Sequence, residues 1–327
     1  MYRFMHRSAY RFIFLAAAFV IFALNGSALA QPRTITDAAG RKVTITDTSR
    51  IVSIGGAVTE VLYALGLAGK VVAVDSTSTF PEAAKQKANV GYMRALAPEG
   101  VLKTGPTLIL AIEVSGPAEA VEILERASVP YVVVPEAKNA EGVLRKIRFI
   151  AEAAGVPAAG EKLANAVRED FAALGNALKG VKRHRKAAFI LSMGSGSPIV
   201  GGTGTSADAM FRLADIDNAL AAVNGFKPVS DEALIVAAPH AVVMMSERDH
   251  AMSPERVFAM PSLANSPAAK TRNLIGLPGL YLLGFGPRTA HAARDLAAAL
   301  YPESNIPVLP ARSWTTAATS SGEAKHK

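Results

Sequence analysis

The chain has 327 residues, a formal net charge of +8 and no cysteine. The missing thiols exclude disulfides, thiolate metal sites, thiol nucleophiles and CxxCH haem attachment, so the fold must rely on its hydrophobic core. No run of basic residues is interleaved with aromatic ones, which argues against a nucleic-acid partner.

Residues 1–30 are predicted to form a secretory signal peptide. Three arginines and no acid precede an apolar run over 12–24, and Ala28 and Ala30 occupy the two positions that a signal peptidase reads. A membrane anchor is the alternative, for which the run is short. Cleavage would leave Gln31 as the first residue and lower the formal charge from +8 to a mildly basic +5, which suits an anionic ligand.

Short apolar runs predict buried parallel strands, and helical patterns separate most of them. The predicted strands are 51–54, 71–74, 108–111, 131–134, 188–192, 241–245 and 280–283. The predicted helices are 59–65, 118–127, 140–155, 211–214, 231–237 and 289–300. This alternation predicts βαβ units, each with a parallel sheet covered on both faces.

One long helix is predicted between two such regions. Apolar residues recur at three- and four-residue steps from Leu163 to Leu178, within a stretch rich in Ala, Leu, Glu and Lys. The predicted organisation is two α/β lobes joined by this helix. We place the first lobe at 31–158, the connecting helix at 159–182, the second lobe at 183–305 and a flexible tail at 306–327.

The glycine-rich stretch 194–204 does not predict a nucleotide loop. It fails as GxGxxG because Ile199 takes the place of the third glycine, and no GK[ST] follows. A turn and a short strand, followed by Thr205 or Ser206 capping a helix, fit it better. Because the sequence also lacks a GxSxG elbow, an HExxH motif and a paired-carboxylate motif, it does not indicate an enzyme.

Several segments together resemble one family of exported binding proteins. They are I-V-S-I-G-G-A-V-T-E at 51–60, D-S-T-S-T-F-P at 75–81, V-G-Y-M-R-A-L at 90–96, G-G-T-G-T-S-A-D at 201–208 and G-F-G-P-R at 284–288. The first is similar to the opening of the class III periplasmic binding proteins for B12, siderophores or haem. The others resemble the haem-uptake branch of that family, the HmuT-type proteins.

The resemblance implies capture of a ligand without chemistry. A periplasmic monomer of this kind would bind haem between its lobes and deliver it to the permease dimer of an ABC importer. The same fold carrying a ferric siderophore or a corrinoid is the alternative. A metal-ion binding protein is a third interpretation, weakened by the scarcity of histidine.

Tyr92 is the candidate iron ligand, since it matches the family's iron-binding tyrosine. A phenolate is a hard anion suited to ferric haem; the alternative is a tyrosine packed at the lobe edge with its hydroxyl in water. Arg94 is expected to pair with a propionate, to hydrogen-bond the phenolate, or simply to be solvated. Some relatives carry a second tyrosine where this chain has Phe80, which can only pack or stack on a porphyrin.

Gly55 and Gly56 precede a predicted helix, whose free N–H groups would receive a carboxylate; glycines are also common in such turns. Possible cleft residues from the second lobe are Met193, Arg248, His250 and Arg256, of which His250 is a candidate sixth iron ligand. Arg288 is expected to hold backbone or the rim of the second lobe.

Glu99 and Glu232 match the family's acidic contacts to permease arginines, one on each lobe. Each stands near a predicted helix start, where an acid also suits the helix dipole.

Overall fold

The chain forms two α/β lobes, seen here in a computed structural model that describes residues 32–181, 184–193, 197–247 and 252–315. The strands are β1 (Arg33–Thr36), β2 (Lys42–Ile45), β3 (Ile51–Ile54), β4 (Val71–Val74), β5 (Ala88–Asn89), β6 (Leu108–Ile112), β7 (Tyr131–Val134), β8 (Lys186–Ser192), β9 (Ile199–Gly201), β10 (Asp217–Asn218), β11 (Phe226–Pro228), β12 (Ala241–Met245) and β13 (Leu274–Leu277). The α-helices are α1 (Gly56–Ala64), α2 (Pro98–Leu102), α3 (Ala118–Glu125), α4 (Ala140–Ala153), α5 (Pro157–Leu178), α6 (Ser206–Leu213), α7 (Asp231–Ala237), α8 (Pro254–Phe258), α9 (Pro261–Ala264), α10 (Pro267–Thr271), α11 (Gly279–Leu283) and α12 (Thr289–Leu300). Short 3-10 helices occur at Glu82–Gln86 and Pro302–Ser304.

The first lobe is built on a parallel sheet with the strand order β5-β4-β3-β6-β7, next to an antiparallel β1–β2 hairpin. Its central strands β3 and β6 are buried along their whole length, as the continuous apolar runs predict. Apolar clusters cover both faces of the sheet.

The second lobe repeats this plan with one difference. Strands β8, β10, β12 and β13 are parallel, whereas β9 runs antiparallel to β8 and carries β11 at the edge of the sheet. The predicted α/β class with two parallel-sheet lobes is therefore confirmed.

Helix α5 joins the lobes and packs on both. It contacts α4 of the first lobe and α12 of the second, and its 22 residues span about 33 Å at 1.5 Å per residue. Leu163, Val167 and Leu174 point into an apolar cluster that runs without a break from the first lobe into the second. The observed helix begins at Pro157, a favourable first residue, two residues before the predicted start.

One predicted strand is wrong. Residues 280–283 belong to helix α11, and the strand at that edge of the sheet is β13. A short apolar run suits a buried helix as well as a strand, and here Pro278 and Gly279 start the helix.

Residues 306–315 were expected to be part of a flexible tail, but they pack against the rest of the chain. Ile306 and Leu309 are buried. Arg312 donates from Nε to Asp170 Oδ1 over 2.8 Å and from Nη2 to the carbonyl oxygen of Ala166 over 3.2 Å. Asp170 and Ala166 both belong to α5, so residues 306–315, called the strap below, are tied to the long helix. Residues 316–327 lie outside the described part of the chain.

Within the described ranges, none of the helices combines the length and the apolar character that a bilayer crossing requires.

Candidate ligand cleft

The two lobes meet near the carboxyl ends of strands in both sheets: a Cβ on Gly56, just after β3, would lie 2.6 Å from Cδ1 of Leu280, just after β13. The loops that follow β3, β4 and β6 leave one edge of the first sheet, and those that follow β12 and β13 leave the matching edge of the second. In open α/β sheets, ligands bind outside this edge. Hydrogen bonds also join the lobes. Lys138, which follows β7, donates from Nζ to the carbonyl oxygen of Gly204, which follows β9, over 2.7 Å. Glu60 accepts a hydrogen bond from Arg288.

Tyr92 lies on a well-anchored loop at the edge of the first sheet. Gly91 before it has a φ of 92°, which glycine adopts readily. The backbones of Met93 and Gly116 bond at 2.9 Å and fix the loop to the segment after β6. The Tyr92 side chain is 44% exposed, and Arg94 donates from Nη1 to its hydroxyl over 2.7 Å.

The start of α1 differs from the expectation of a carboxylate site. The Gly55 N–H donates to Asp75 Oδ1 over 2.9 Å, and the Gly56 N–H donates to Thr77 Oγ1 over 3.0 Å. Asp75 is itself buried. These two N–H groups are therefore satisfied by the protein and are not free for a ligand carboxylate.

Phe80 lies at the contact between the lobes. The guanidinium carbon of Arg288 is 3.5 Å from the centroid of the Phe80 ring. The ring is partly exposed, so one side is stacked on a cation and the remainder is accessible. Arg288 was expected to hold backbone or the rim of the second lobe; its guanidinium instead pairs with Glu60 of the first lobe.

Two of the four second-lobe candidates, Met193 and Arg256, lie within the described residues. Met193 follows β8 and packs against the core of its lobe. Arg256 is exposed on α8, where its backbone N–H bonds Ser253. Arg248 and His250 lie outside the described residues.

Both predicted docking acids are exposed at helix starts. Glu99 stands in the first turn of α2 and Glu232 in the first turn of α7. Hydrogen bonds from its own backbone and from Ser230 lower the pKa of Glu232, so it is anionic at neutral pH. Three and four residues further along α7, Ile235 and Val236 are also exposed, which gives this helix face an apolar as well as an acidic part.

An open cavity of about 390 Å³ lies elsewhere, lined by residues of β2 and by Arg41, Glu125 and Tyr131. Tyr131 is the first residue of β7, so this cavity is at the amino edge of the first sheet. It contains none of the predicted site residues.

The chain is similar to one protein family and to several known binding proteins. The profile of a family described as "Periplasmic binding protein" matches residues 51–280. The solved apo structure of the periplasmic heme-binding protein RhuT from Roseiflexus sp. RS-1 is 35% identical, covers 79% of this chain and 100% of its own, and superposes with a TM-score of 0.74. An uncharacterized ABC transporter substrate-binding lipoprotein, YvrC of Bacillus subtilis, is 28% identical over 278 residues, which are 84% of this chain and 87% of the relative. A vitamin B12-binding protein of Vibrio campbellii is 30% identical over 125 residues, 38% of this chain and 45% of that protein.

Proposed function

The chain belongs to the periplasmic binding protein family of ABC transporters, and from this premise we propose that it captures haem between its lobes for delivery to an importer. Proteins of this family bind substrates and are not enzymes. The observation that carries the choice of haem is the pair formed by Tyr92 and Arg94 at the carboxyl edge of the first sheet. The similarity to RhuT across 79% of the chain supports it.

Tyr92 is the proposed axial ligand of the haem iron. Of the five tyrosines in the described residues, it alone is classed as exposed. Burial raises the pKa of the other four, which are Tyr63, Tyr131, Tyr281 and Tyr301. Those hydroxyls resist forming a phenolate, the form that binds ferric iron.

Arg94 supports this role. Its guanidinium donates a hydrogen bond to the Tyr92 oxygen, the atom proposed to bind the iron. The guanidinium is itself exposed on the same loop. It would therefore stand beside the iron rather than at a distant propionate.

The remaining contacts come from both lobes. Phe80 offers an accessible part of its ring to a porphyrin. Met193 and Arg256, with Arg248 and His250 from outside the described residues, are proposed to cover the opposite face of the macrocycle. Among these, His250 is the proposed second iron ligand and the two arginines are proposed partners for the propionates.

Delivery to the permease is proposed to use Glu99 and Glu232. Each is exposed on a short helix, one in each lobe. On the second lobe the acid shares its helix face with Ile235 and Val236. A matching permease surface would therefore place arginine beside an apolar patch, and simultaneous contact with both lobes would report whether a ligand holds them together.

A corrinoid is the second candidate ligand, favoured by the similarity to the Vibrio campbellii vitamin B12-binding protein. That similarity covers 38% of this chain, far less than the similarity to RhuT. A ferric siderophore is the remaining alternative on the same fold.

Titration of the purified wild-type protein with ferric haem, cyanocobalamin and a ferric siderophore separates these candidates. We expect a Soret band and saturation at a defined haem stoichiometry, with no saturable binding of the other two. Saturable binding of cyanocobalamin or the siderophore, with no spectral response to haem, would contradict the proposal.

A further inference from the structure

A buried ion pair joins the lobes at the base of the cleft. Arg288 of the second lobe donates to Glu60 of α1 from Nε to Oε2 over 3.2 Å and also from Nη2 to Oε1. The side chains are 12% and 5% exposed. The two residues are 228 positions apart in the chain, so this contact exists only when the lobes are together.

Two aromatic rings hold the guanidinium from either lobe. Its central carbon is 3.5 Å from the Phe80 centroid and 4.9 Å from the Tyr281 centroid. Tyr281 is fixed in turn, because its hydroxyl donates to Asp295 Oδ2 over 2.8 Å. Arg288 therefore contacts Phe80, a cleft residue, at the same time as it pairs with Glu60.

Glycines let the backbones come close enough for this pair. A Cβ at Gly286 would lie 2.9 Å from Glu60 Oε2, and one at Gly56 would lie 2.6 Å from Leu280 Cδ1. Neither distance is tolerated by a real side chain. Gly286 of the second lobe and Gly56 of the first thus allow the second lobe to approach α1 closely, whereas Gly55 makes room for Ile112 within its own lobe.

Separating Arg288 from Glu60 is unfavourable in free energy because the Glu60 carboxylate is buried. Desolvation raises the pKa of Glu60, and the Arg288 guanidinium opposes that shift. A second basic side chain, that of the buried Lys146, lies near Glu60 but has no hydrogen-bond partner among the described residues. If Arg288 withdrew, Glu60 would keep its buried position without a hydrogen-bonded partner, which is strongly unfavourable.

We propose that Arg288 is the positioning residue of the cleft: its pairing with Glu60 fixes the separation of the lobes, and its stacking on Phe80 holds that ring against the ligand. The role of Arg288 in holding Phe80 against the ligand rests on the proposed haem binding, whereas its role in fixing the lobes does not. The ion pair keeps the cleft at one width, which suits a flat macrocycle, and limits how far the lobes can close on each other.

The test measures lobe separation and haem affinity in the same variants. Because the chain has no cysteine, Glu119→Cys on α3 and Lys270→Cys on α10 give two unique exposed spin-label sites, one in each lobe. The main variant is Glu60→Gln with Arg288→Gln, which removes both charges and avoids the unpaired carboxylate that would endanger folding of Arg288→Gln alone. The control is Asp37→Asn with Arg41→Gln, another pair with a buried carboxylate, which lies within the first lobe.

We expect a broadened or shifted inter-label distance distribution in the main variant and haem binding weakened at least tenfold. The control should keep the wild-type distribution and affinity. A wild-type distance distribution, or wild-type haem affinity, in the main variant would overturn the proposal. If the unmutated protein fails to bind haem, the proposed function falls, and the distance distribution alone then decides whether Arg288 fixes the lobes.

Discussion

The guanidinium of Arg94 donates a hydrogen bond to the hydroxyl of Tyr92 over 2.7 Å, between residues that are two positions apart on one exposed loop. The arrangement places a permanent cation beside the group proposed to bind ferric iron. The Met93–Gly116 backbone pairing holds the loop between them. The loop that carries both residues is thus fixed within the first lobe.

Replacing Arg94 tests whether this cation supports the ligand. A hydrogen bond to a charged group contributes about 1.5–3 kcal/mol, so Arg94→Met should weaken ferric haem binding by about tenfold to a hundredfold. It should also shift the phenolate-to-iron charge-transfer band. Arg126→Met, which removes a surface guanidinium 81% exposed, is the control. Unchanged affinity and spectrum in Arg94→Met would remove Arg94 from the site.

Charge reversal tests permease docking. Glu99→Lys with Glu232→Lys should abolish haem uptake in vesicles reconstituted with the cognate permease, because like charges would then face its arginines. Haem binding in solution should stay at the wild-type level. Glu119→Lys with Asp217→Lys makes the same change of charge at other exposed positions, one in each lobe. Normal uptake by the first double variant would exclude these acids from the interface.

The strap of residues 306–315 is expected to stabilise the connecting helix. Among the described residues, Arg312→Ala leaves the fully buried Asp170 carboxylate with His291, 3.5 Å away, as its remaining ion-pair partner. Loss of one partner of a buried pair predicts a decrease of about 3 kcal/mol in the free energy of unfolding in urea. The surface pair of Arg126 and Glu122 is the comparison, and Arg126→Ala should cost less than about 1 kcal/mol. Equal losses would argue against the strap.

Because Lys146 is buried, we expect the free energy of unfolding to depend on pH. Burial lowers its pKa below 10.5, so between the folded-state pKa and 10.5 the unfolded chain binds a proton that the native state does not. Stability of the wild type should therefore rise with pH across that window. Lys146→Met removes an unsatisfied buried amine and should add about 1–3 kcal/mol to the free energy of unfolding at pH 7.

Urea unfolding at several pH values from 7 upward measures this effect. The difference in the free energy of unfolding between Lys146→Met and the wild type should shrink as the pH approaches 10.5. Near that pH the unfolded wild-type chain also loses the proton from Lys146, so the cost of removing that proton on folding disappears. Lys162→Met, at an exposed position of α5, should show neither the gain nor the trend. A destabilised Lys146→Met would mean that the amine is satisfied in solution.

Local patterns were enough to predict most elements of this fold. The buried runs that became β3, β4, β7 and β12 have the predicted bounds, as do α7 and α12. The helices α8, α9 and α10 were missed although each begins with proline after Ser253, Met260 or Ser266. Two of these starts are serine caps, a signal that the sequence contains.

Contacts between distant residues were not predictable in the same way. Glu60 stands within an otherwise apolar stretch of α1, which indicates that a buried acid needs a partner. Nothing in one sequence identifies that partner as Arg288, because the pairing depends on how α11 meets α1. The same limit applies to Gly55 and Gly56, whose N–H groups are taken by the side chains of Asp75 and Thr77.

Titration of ferric haem into wild type and Tyr92→Phe shows whether the Tyr92 oxygen binds the haem iron. The substitution keeps the ring and removes only the oxygen, so folding should be unaffected; Tyr63→Phe is the control. We predict that Tyr92→Phe loses the high-spin charge-transfer bands of a phenolate complex and binds haem more weakly, while Tyr63→Phe matches the wild type. Retention of both the wild-type spectrum and the wild-type affinity by Tyr92→Phe would contradict the assignment.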